Sequence, residues 1–204
     1  QSITIDMRGG TLERAERAEG VDIGLRVLIG GRQANVSASD TGAATIAALA
    51  ERAVAMAREA PVDPYAGLAE VGQLARDWDV AALELCDPAP EPAPDALAGM
   101  AQEAEAAALA VSGVTQVQSA TAGYSHRAVH IAASNGFSGG YARSETGVSC
   151  VAIAGSGTGM ERDYDGDSRI FASDLRDVSE IGQRAGLRAV ERLGARRPRT
   201  GAYP

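Results

Sequence analysis

The stretch VDIGLRVLIGGRQANVSASD, residues 21–40, constrains the fold more than any other part of the chain. Val21, Ile23, Leu25 and Val27 recur at every second place, Gly30-Gly31 supplies a tight turn, and RQANVSAS returns as a second arm. A period of two marks a half-buried strand, and two such arms around a Gly-Gly pair make a hairpin. A helix is expected directly afterwards. Asp40 or Thr41 stands where a cap belongs, Ile46, Leu49, Ala53, Met56 and Ala60 form an apolar stripe, and Pro61 stops it.

The flanking segments extend this reading. Ile3, Ile5 and Met7 alternate in SITIDM, residues 2–7, as in a strand, whereas TLERAERAE fits a strand or a short helix equally. Residues 61–94 read as loop with short structured pieces, ending in the semi-rigid DPAPEPAPD. Residues 95–110 read as an Ala-rich helix with Leu97, Met100, Ala104 and Ala107 on one side, capped near Pro94 and Asp95. Two strands, a Gly-Ser-Gly turn and a return strand come next, then a helix over about 174–193, capped by Ser173 or Asp174 and ended by Gly194. This order repeats that of the first half, with Gly20-Val21 matching Gly147-Val148 and Gly9-Gly10 falling near Asn135-Gly136. The expected fold is α+β: two related strand-strand-strand-helix modules with mixed or antiparallel sheets and packed helices, over residues 1–62 and 95–204, joined by a Pro-rich connection at 63–94.

Charge excludes several functions. Nineteen basic residues against twenty-seven acidic ones give a net charge of −8, the wrong sign for a polyphosphate backbone, and 4% aromatic residues leave little to stack on bases. Every basic residue is arginine, so a Walker-type phosphate loop, a Schiff-base mechanism and a lysine general base are excluded for this chain. Cys86 and Cys150 form no metal-type spacing and suit a reducing compartment, so a cytoplasmic location is expected. No run approaches the roughly 20 apolar residues of a membrane span. Opening at Gln1 and closing on TGAYP, the chain reads as an excerpt with a C-terminal continuation expected.

Four motifs invite a chemical reading. His126 and His130 would share a zinc ion only on a helix; RAVHIAAS reads as strand, where residues four apart lie about 13 Å from each other. Arg127 also stands where a zinc protease places its glutamate. Residues 136–140 match Gly-x-Ser-x-Gly around Ser138, but a nucleophile elbow turns from strand into helix and has its histidine after the serine, whereas YARSETGVSCVAIAG continues as strand and both histidines come first. Asp163, Asp165, Asp167 and Asp174 hold calcium-loop spacing, yet Ser168 replaces the required glycine and the closing glutamate is missing, so an acidic loop capping the last helix is expected. GSGTG, residues 155–159, lies between strands and reads as a hairpin turn; ARRPR, residues 195–199, reads as a solvated helix exit.

The segments GLRVLIGGRQANVSASD, ERAVAMAREAPVDPYAGLA, SNGFSGGYARSETGVSCVAIAGSGTGMERDYDGD and RAGLRAVERLGARRPRTGAYP together resemble the N-terminal half of the TldD/PmbA family, also called modulators of DNA gyrase. DPYAGLA and GMERDYD are more similar to the PmbA (TldE) branch than to TldD. The resemblance implies a cytosolic protease of two related subunits enclosing a chamber for small or unfolded peptides, with links to microcin maturation and antitoxin turnover. It implies zinc on a His-Glu-x-x-x-His helix of the TldD-like subunit and none in a TldE-like one. That motif does not occur here, so no catalytic, cofactor or metal residue is assigned to this chain, and a TldD-like subunit and peptides are its expected partners. The rival readings are the zinc-bearing TldD-like subunit itself, a serine hydrolase at Ser138, and a direct gyrase or DNA binder.

Overall fold

The computed structural model describes residues 1–76, 79–196 and 199–202; Arg197-Pro198 of ARRPR, Tyr203-Pro204 of the closing segment and two positions of the 63–94 connection lie outside the described residues. Its elements are β1 (Ser2–Arg8), β2 (Thr11–Ala18), β3 (Ile23–Ile29), β4 (Arg32–Ala38), α1 (Ala43–Glu59), α2 (Pro94–Leu109), β5 (Val114–Ala132), β6 (Ser138–Ala154), β7 (Glu161–Arg169) and α3 (Val178–Glu191). They form two compact units, one of residues 1–18, 79–129 and 141–204, the other of residues 19–78 and 130–140. The α+β class is as expected.

The first unit is built on a five-stranded sheet of order β2-β1-β5-β6-β7, in which β1 pairs antiparallel with both β2 and β5, and β6 with β7. TLERAERA is a strand. Its segment has little apolar surface from which to build a helix face, and Gly9 and Gly10, at φ 62° and 71°, form the left-handed turn whose twist matches a hairpin. Ile3, Ile5 and Met7 of β1, Ala120 and Ala122 of β5, and Val148, Cys150, Ala152 and Ala154 of β6 are buried with one face of each helix. That face is Leu97, Ala101, Ala104 and Ala108 on α2, and Ile181, Ala185 and Ala189 on α3. Met100 and Ala107, expected in the stripe of α2, are only half-buried. The two helices lie so close that a Cβ on Gly182 would stand 2.0 Å from the Ala104 carbonyl oxygen, and one on Gly186 would stand 2.8 Å from Val111 Cγ2. Small side chains on both helices permit this approach, and close packing there supplies dispersion contacts that short alanines alone would not.

α3 begins at Val178, later than Ser173 or Asp174 would place it. Leu175 is extended at φ −64°, ψ 135°, so the helix starts only after Asp177, whose carboxylate accepts the Glu180 amide at 3.0 Å. In contrast α2 starts with Pro94 in its first turn, where the missing N–H leaves nothing unsatisfied.

In the second unit β3 and β4 pair antiparallel from Ile23↔Ala38 to Ile29↔Arg32, and Gly30 and Gly31 turn between them at φ 56° and 73°. α1 packs on this hairpin through Leu49, Ala53 and Ala57, while Ile46 and Met56 are exposed, so the buried stripe is rotated from the expected one. Its N-cap is Gly42; Asp40 accepts the Gly42 amide at 2.8 Å and the Thr45 hydroxyl, one step outside the helix.

Residues 1–18 and residues 19–62 fall in different compact units. The apolar face of β1 is satisfied by α2 and α3, and its second neighbour is β5, whereas β3, β4 and α1 cluster apart. The duplication fails for the same reason: Gly20-Val21 lies between β2 and β3, but Gly147-Val148 lies inside β6. The Pro-rich connection is also partly structural. Leu85 O accepts the Ser144 amide of β6 at 3.0 Å, and the buried Ser144 hydroxyl accepts the Asp87 amide at 2.7 Å.

Candidate functional site

His126 and His130 both lie on β5, so strand geometry holds them too far apart to share one metal ion. The backbone of His126 pairs with Gln1, its amide donating to Gln1 O at 2.9 Å. His130 has a different neighbour: its Nε2 is 3.1 Å from Oγ of Ser138, the first residue of β6. Cross-strand pairing brings these two residues together from either side of a hairpin turn, a proximity that chain order does not reveal. The pair is nonetheless exposed at a strand-to-strand turn, with Ala133 N donating to Phe137 O at 2.9 Å, Phe137 N to Asn135 Oδ1 at 3.2 Å, and Gly136 at φ 93°. No helix begins there to aim amides at an oxyanion.

Asp163, Asp165 and Asp167 lie on strand β7, not on an acidic loop, and meet the arginines of α3 and the turn before it. Asp165, 5% exposed, accepts Arg188 Nη1 at 2.7 Å and Arg176 Nη2 at 2.9 Å, with Arg184 Nε at 3.7 Å. Arg192 Nη1 reaches Asp163 at 2.9 Å. Alternate strand residues are about 6.7 Å apart and helix residues four apart about 6 Å, so two periodic rows of opposite charge run in step. Hydrogen bonds from the Tyr164 amide and from Arg192 hold Asp163 below its usual carboxylate range; the Arg176 amide, then the Arg169 charge, do the same for Asp167. These carboxylates are occupied by structure. A buried carboxylate needs such partners to remain ionised, and the arrangement locks α3 onto β7.

Among the described residues no three His, Cys, Asp or Glu side chains are grouped to hold a metal ion. Cys150 is buried, and burial followed by the nearby Glu105 pushes its thiol up to about 12; Cys86 is half-buried. GSGTG joins β6 to β7 through Ala154↔Glu161, as a hairpin should.

An open groove of about 610 Å³ lies on the sheet of the first unit, lined by Thr4, Gly123, Gly147, Ser149, Tyr164 and Gly166 among others. Residues 147 and 149 alternate with the core residues Val148 and Cys150, so this is the face turned from the helices. Glycine keeps it flat: a Cβ on Gly123 would stand 3.2 Å from Ile3 O, and one on Gly166 would stand 3.2 Å from Val148 O.

Comparison with known proteins gives this geometry its context. The family model "PmbA/TldA metallopeptidase domain 1" matches residues 1–57, and "PmbA/TldA metallopeptidase central domain" matches residues 87–193. The Metalloprotease PmbA of Escherichia coli O157:H7 is 31% identical over 99% of this chain, which spans 44% of that relative's length. A crystal structure described as a modulator of DNA gyrase from Bacteroides thetaiotaomicron superposes with a TM-score of 0.85 at 20% identity, covering 97% of this chain and 45% of the other. TldE from Thermococcus kodakarensis gives 0.74 at 18%, covering 93% and 42%. The two structures share the fold, and the sequence match carries the family: the chain belongs to the PmbA/TldD family of metallopeptidases.

Proposed function

We propose that the protein carrying this chain is a PmbA/TldE-like subunit that binds no metal of its own, and that the chain is its N-terminal scaffold. The observation that carries this reading is the 31% identity to the Metalloprotease PmbA across 99% of the chain. The resemblance of DPYAGLA and GMERDYD to the TldE branch supports the branch. The partner is a zinc-bearing TldD-like subunit in the cytoplasm, which supplies the metal chemistry. Substrates are small or unfolded peptides.

The scaffold's role is to hold the assembly and shape peptide access. β7 closes one edge of the sheet beside the flat groove, with Tyr164 66% exposed, and an extended peptide can pair there as an added strand with little demand on its sequence. Protection of a bound peptide's backbone amides from exchange supports that capture mode; unchanged exchange counts against it.

The test of the subunit reading is bound zinc and peptide cleavage, measured on the purified protein alone and with a TldD-like subunit. Cleavage and zinc are expected only with the partner, and chelation should abolish cleavage. Zinc and activity in the protein alone would make it the zinc-bearing subunit. No cleavage in either preparation would overturn the protease reading, and DNA affinity falling steeply with salt would replace it with direct gyrase or DNA binding.

A further inference from the structure

β7 is an edge strand, bonded to β6 on one side. In an antiparallel pair the N–H and C=O of one residue point to the partner strand and those of the next point away, so every second residue of β7 turns both groups to the open side. The contacts of Tyr164 and Gly166 put them in that outward row. Arg188 Nη1 of α3 donates to Tyr164 O at 2.9 Å, and Arg176 Nη2, from the turn before α3, donates to Gly166 O at 2.8 Å. Tyr164 N donates to Asp163 Oδ1 at 2.7 Å. Three of the four backbone groups that these two residues turn outward are thus held by the chain's own side chains. An added strand would lie about 4.8 Å from β7 and bond the same atoms, so a peptide and the two guanidiniums compete for one place.

Side chains that cover an edge commonly serve to prevent pairing altogether. Two features make this cover releasable. Arg188 and Arg176 bond the Asp165 carboxylate with the same nitrogens that reach the carbonyls, at 2.7 and 2.9 Å, and Arg184 Nε stands 3.7 Å from the same carboxylate. The buried charge therefore keeps arginine partners when either of the first two moves aside. Arg176 is also incompletely satisfied where it sits: its Nη1 is buried without a hydrogen bond, 3.8 Å from Glu180. Turning toward water gives up a carbonyl and solvates that nitrogen. The backbone need not follow, because the Arg176 amide is held separately by Asp167 Oδ2 at 3.0 Å.

We propose that Arg176 and Arg188 form a latch on the β7 edge. Seated on the Gly166 and Tyr164 carbonyls, they close the edge to strand addition, and an extended peptide pairs there only as they turn aside. Resting on the strand-addition reading given above, the latch makes capture an exchange of hydrogen bonds instead of the filling of empty ones. Charged N–H groups bond a carbonyl more strongly than a peptide amide does, so the resting edge favours its own arginines.

The experiment follows a blocked, uncharged peptide of alternating threonine and serine on the 204-residue chain, measuring its affinity and the exchange of its amides. Wild type is compared with Arg176→Met and Arg188→Met, each of which leaves two arginines beside Asp165, and far-UV circular dichroism checks that the variants fold. Each variant should bind the peptide about 10-fold more tightly than wild type, with alternate peptide amides protected. Equal affinities with protected amides would overturn the latch and leave strand addition standing. Weaker binding by folded variants would make the arginines part of the peptide contact and would overturn it too. Unprotected amides with all three proteins would overturn strand addition at this edge, and the latch with it. Wild type supplies a check that needs no variant: the Arg176 and Arg188 guanidinium resonances should shift as the peptide saturates the edge. A protected peptide beside unmoved guanidinium resonances would mean that pairing needs no release, which also overturns the latch.

Discussion

Glu105 of α2 holds the turn between β1 and β2: its Oε1 accepts the Gly9 amide at 2.5 Å and its Oε2 the Gly10 amide at 2.9 Å. The carboxylate is 2% exposed, and its bonds satisfy two amides that a left-handed Gly-Gly turn aims inward. A charge buried in an alanine-rich layer is tolerable because both oxygens are occupied.

Glu105→Gln keeps the shape but replaces one acceptor with an N–H facing another N–H. The expected loss is about 1–3 kcal/mol, and Glu105→Ala should lose more by leaving both amides bare. Equilibrium urea unfolding at an unchanged slope measures it; an unchanged midpoint for both variants would refute the clamp.

Gly182→Ala drives a methyl group into the Ala104 carbonyl, a backbone atom that moves only if α2 moves. A loss of about 3 kcal/mol is expected from such overpacking. The control is Gly99→Ala, at an exposed position of α2 with nothing within 4 Å of the added carbon, which should stabilise by about 0.5–1 kcal/mol. Thermal melts that order the two variants the other way would contradict the helix contact.

Acid should loosen the β7–α3 pairing. Asp163 and Asp167 titrate below their ordinary 3.8 for the reasons given above, and Asp177 does so through the Ser179 hydroxyl and then the Glu180 amide. A lowered folded pKa means the unfolded chain binds protons first as pH falls. The stability these groups contribute is complete above their unfolded value and is lost as pH drops below about 3.8 through the folded values. The Tm gap between wild type and Asp167→Asn should therefore close between pH 5 and pH 2; a gap independent of pH would sink this account.

Thiol labelling should separate the two cysteines. With its pKa at about 12, Cys150 at pH 8 carries a thiolate fraction roughly 10³-fold below that of an ordinary exposed thiol near 8.5, and it is shut from reagent as well. In the native chain a disulfide reagent should modify Cys86 first and reach Cys150 only on unfolding. Equal rates would mean the core opens readily.

A fluorophosphonate should leave Ser138 unlabelled despite His130 at 3.1 Å, since the pair sits exposed on a strand-to-strand turn. Stoichiometric labelling that disappears in Ser138→Ala would reinstate the hydrolase.

The family is legible through the resemblance of whole segments; the α+β class, the β3–β4 hairpin, the start of α2 at Pro94 and the hairpin at GSGTG are legible in the order of residues, because each depends on local rules of period, turn chemistry and capping. Two long-range features also left a trace that spacing arguments passed over: aspartates at 163, 165 and 167 in steps of two, and arginines at 184, 188 and 192 in steps of four. Taken together they foretell a strand and a helix in ionic register, whereas the aspartates taken alone suggest a loop. Other features have no local signature. That β1 joins β5 and not β3, that Glu105 finds the Gly9-Gly10 turn, that Gly182 meets Ala104, and that His130 meets Ser138 were decided only when the chain closed on itself. Sheet partners and helix contacts are chosen by which apolar faces bury each other best across long stretches of sequence, and a periodicity shows that a strand has a buried face without showing what covers it.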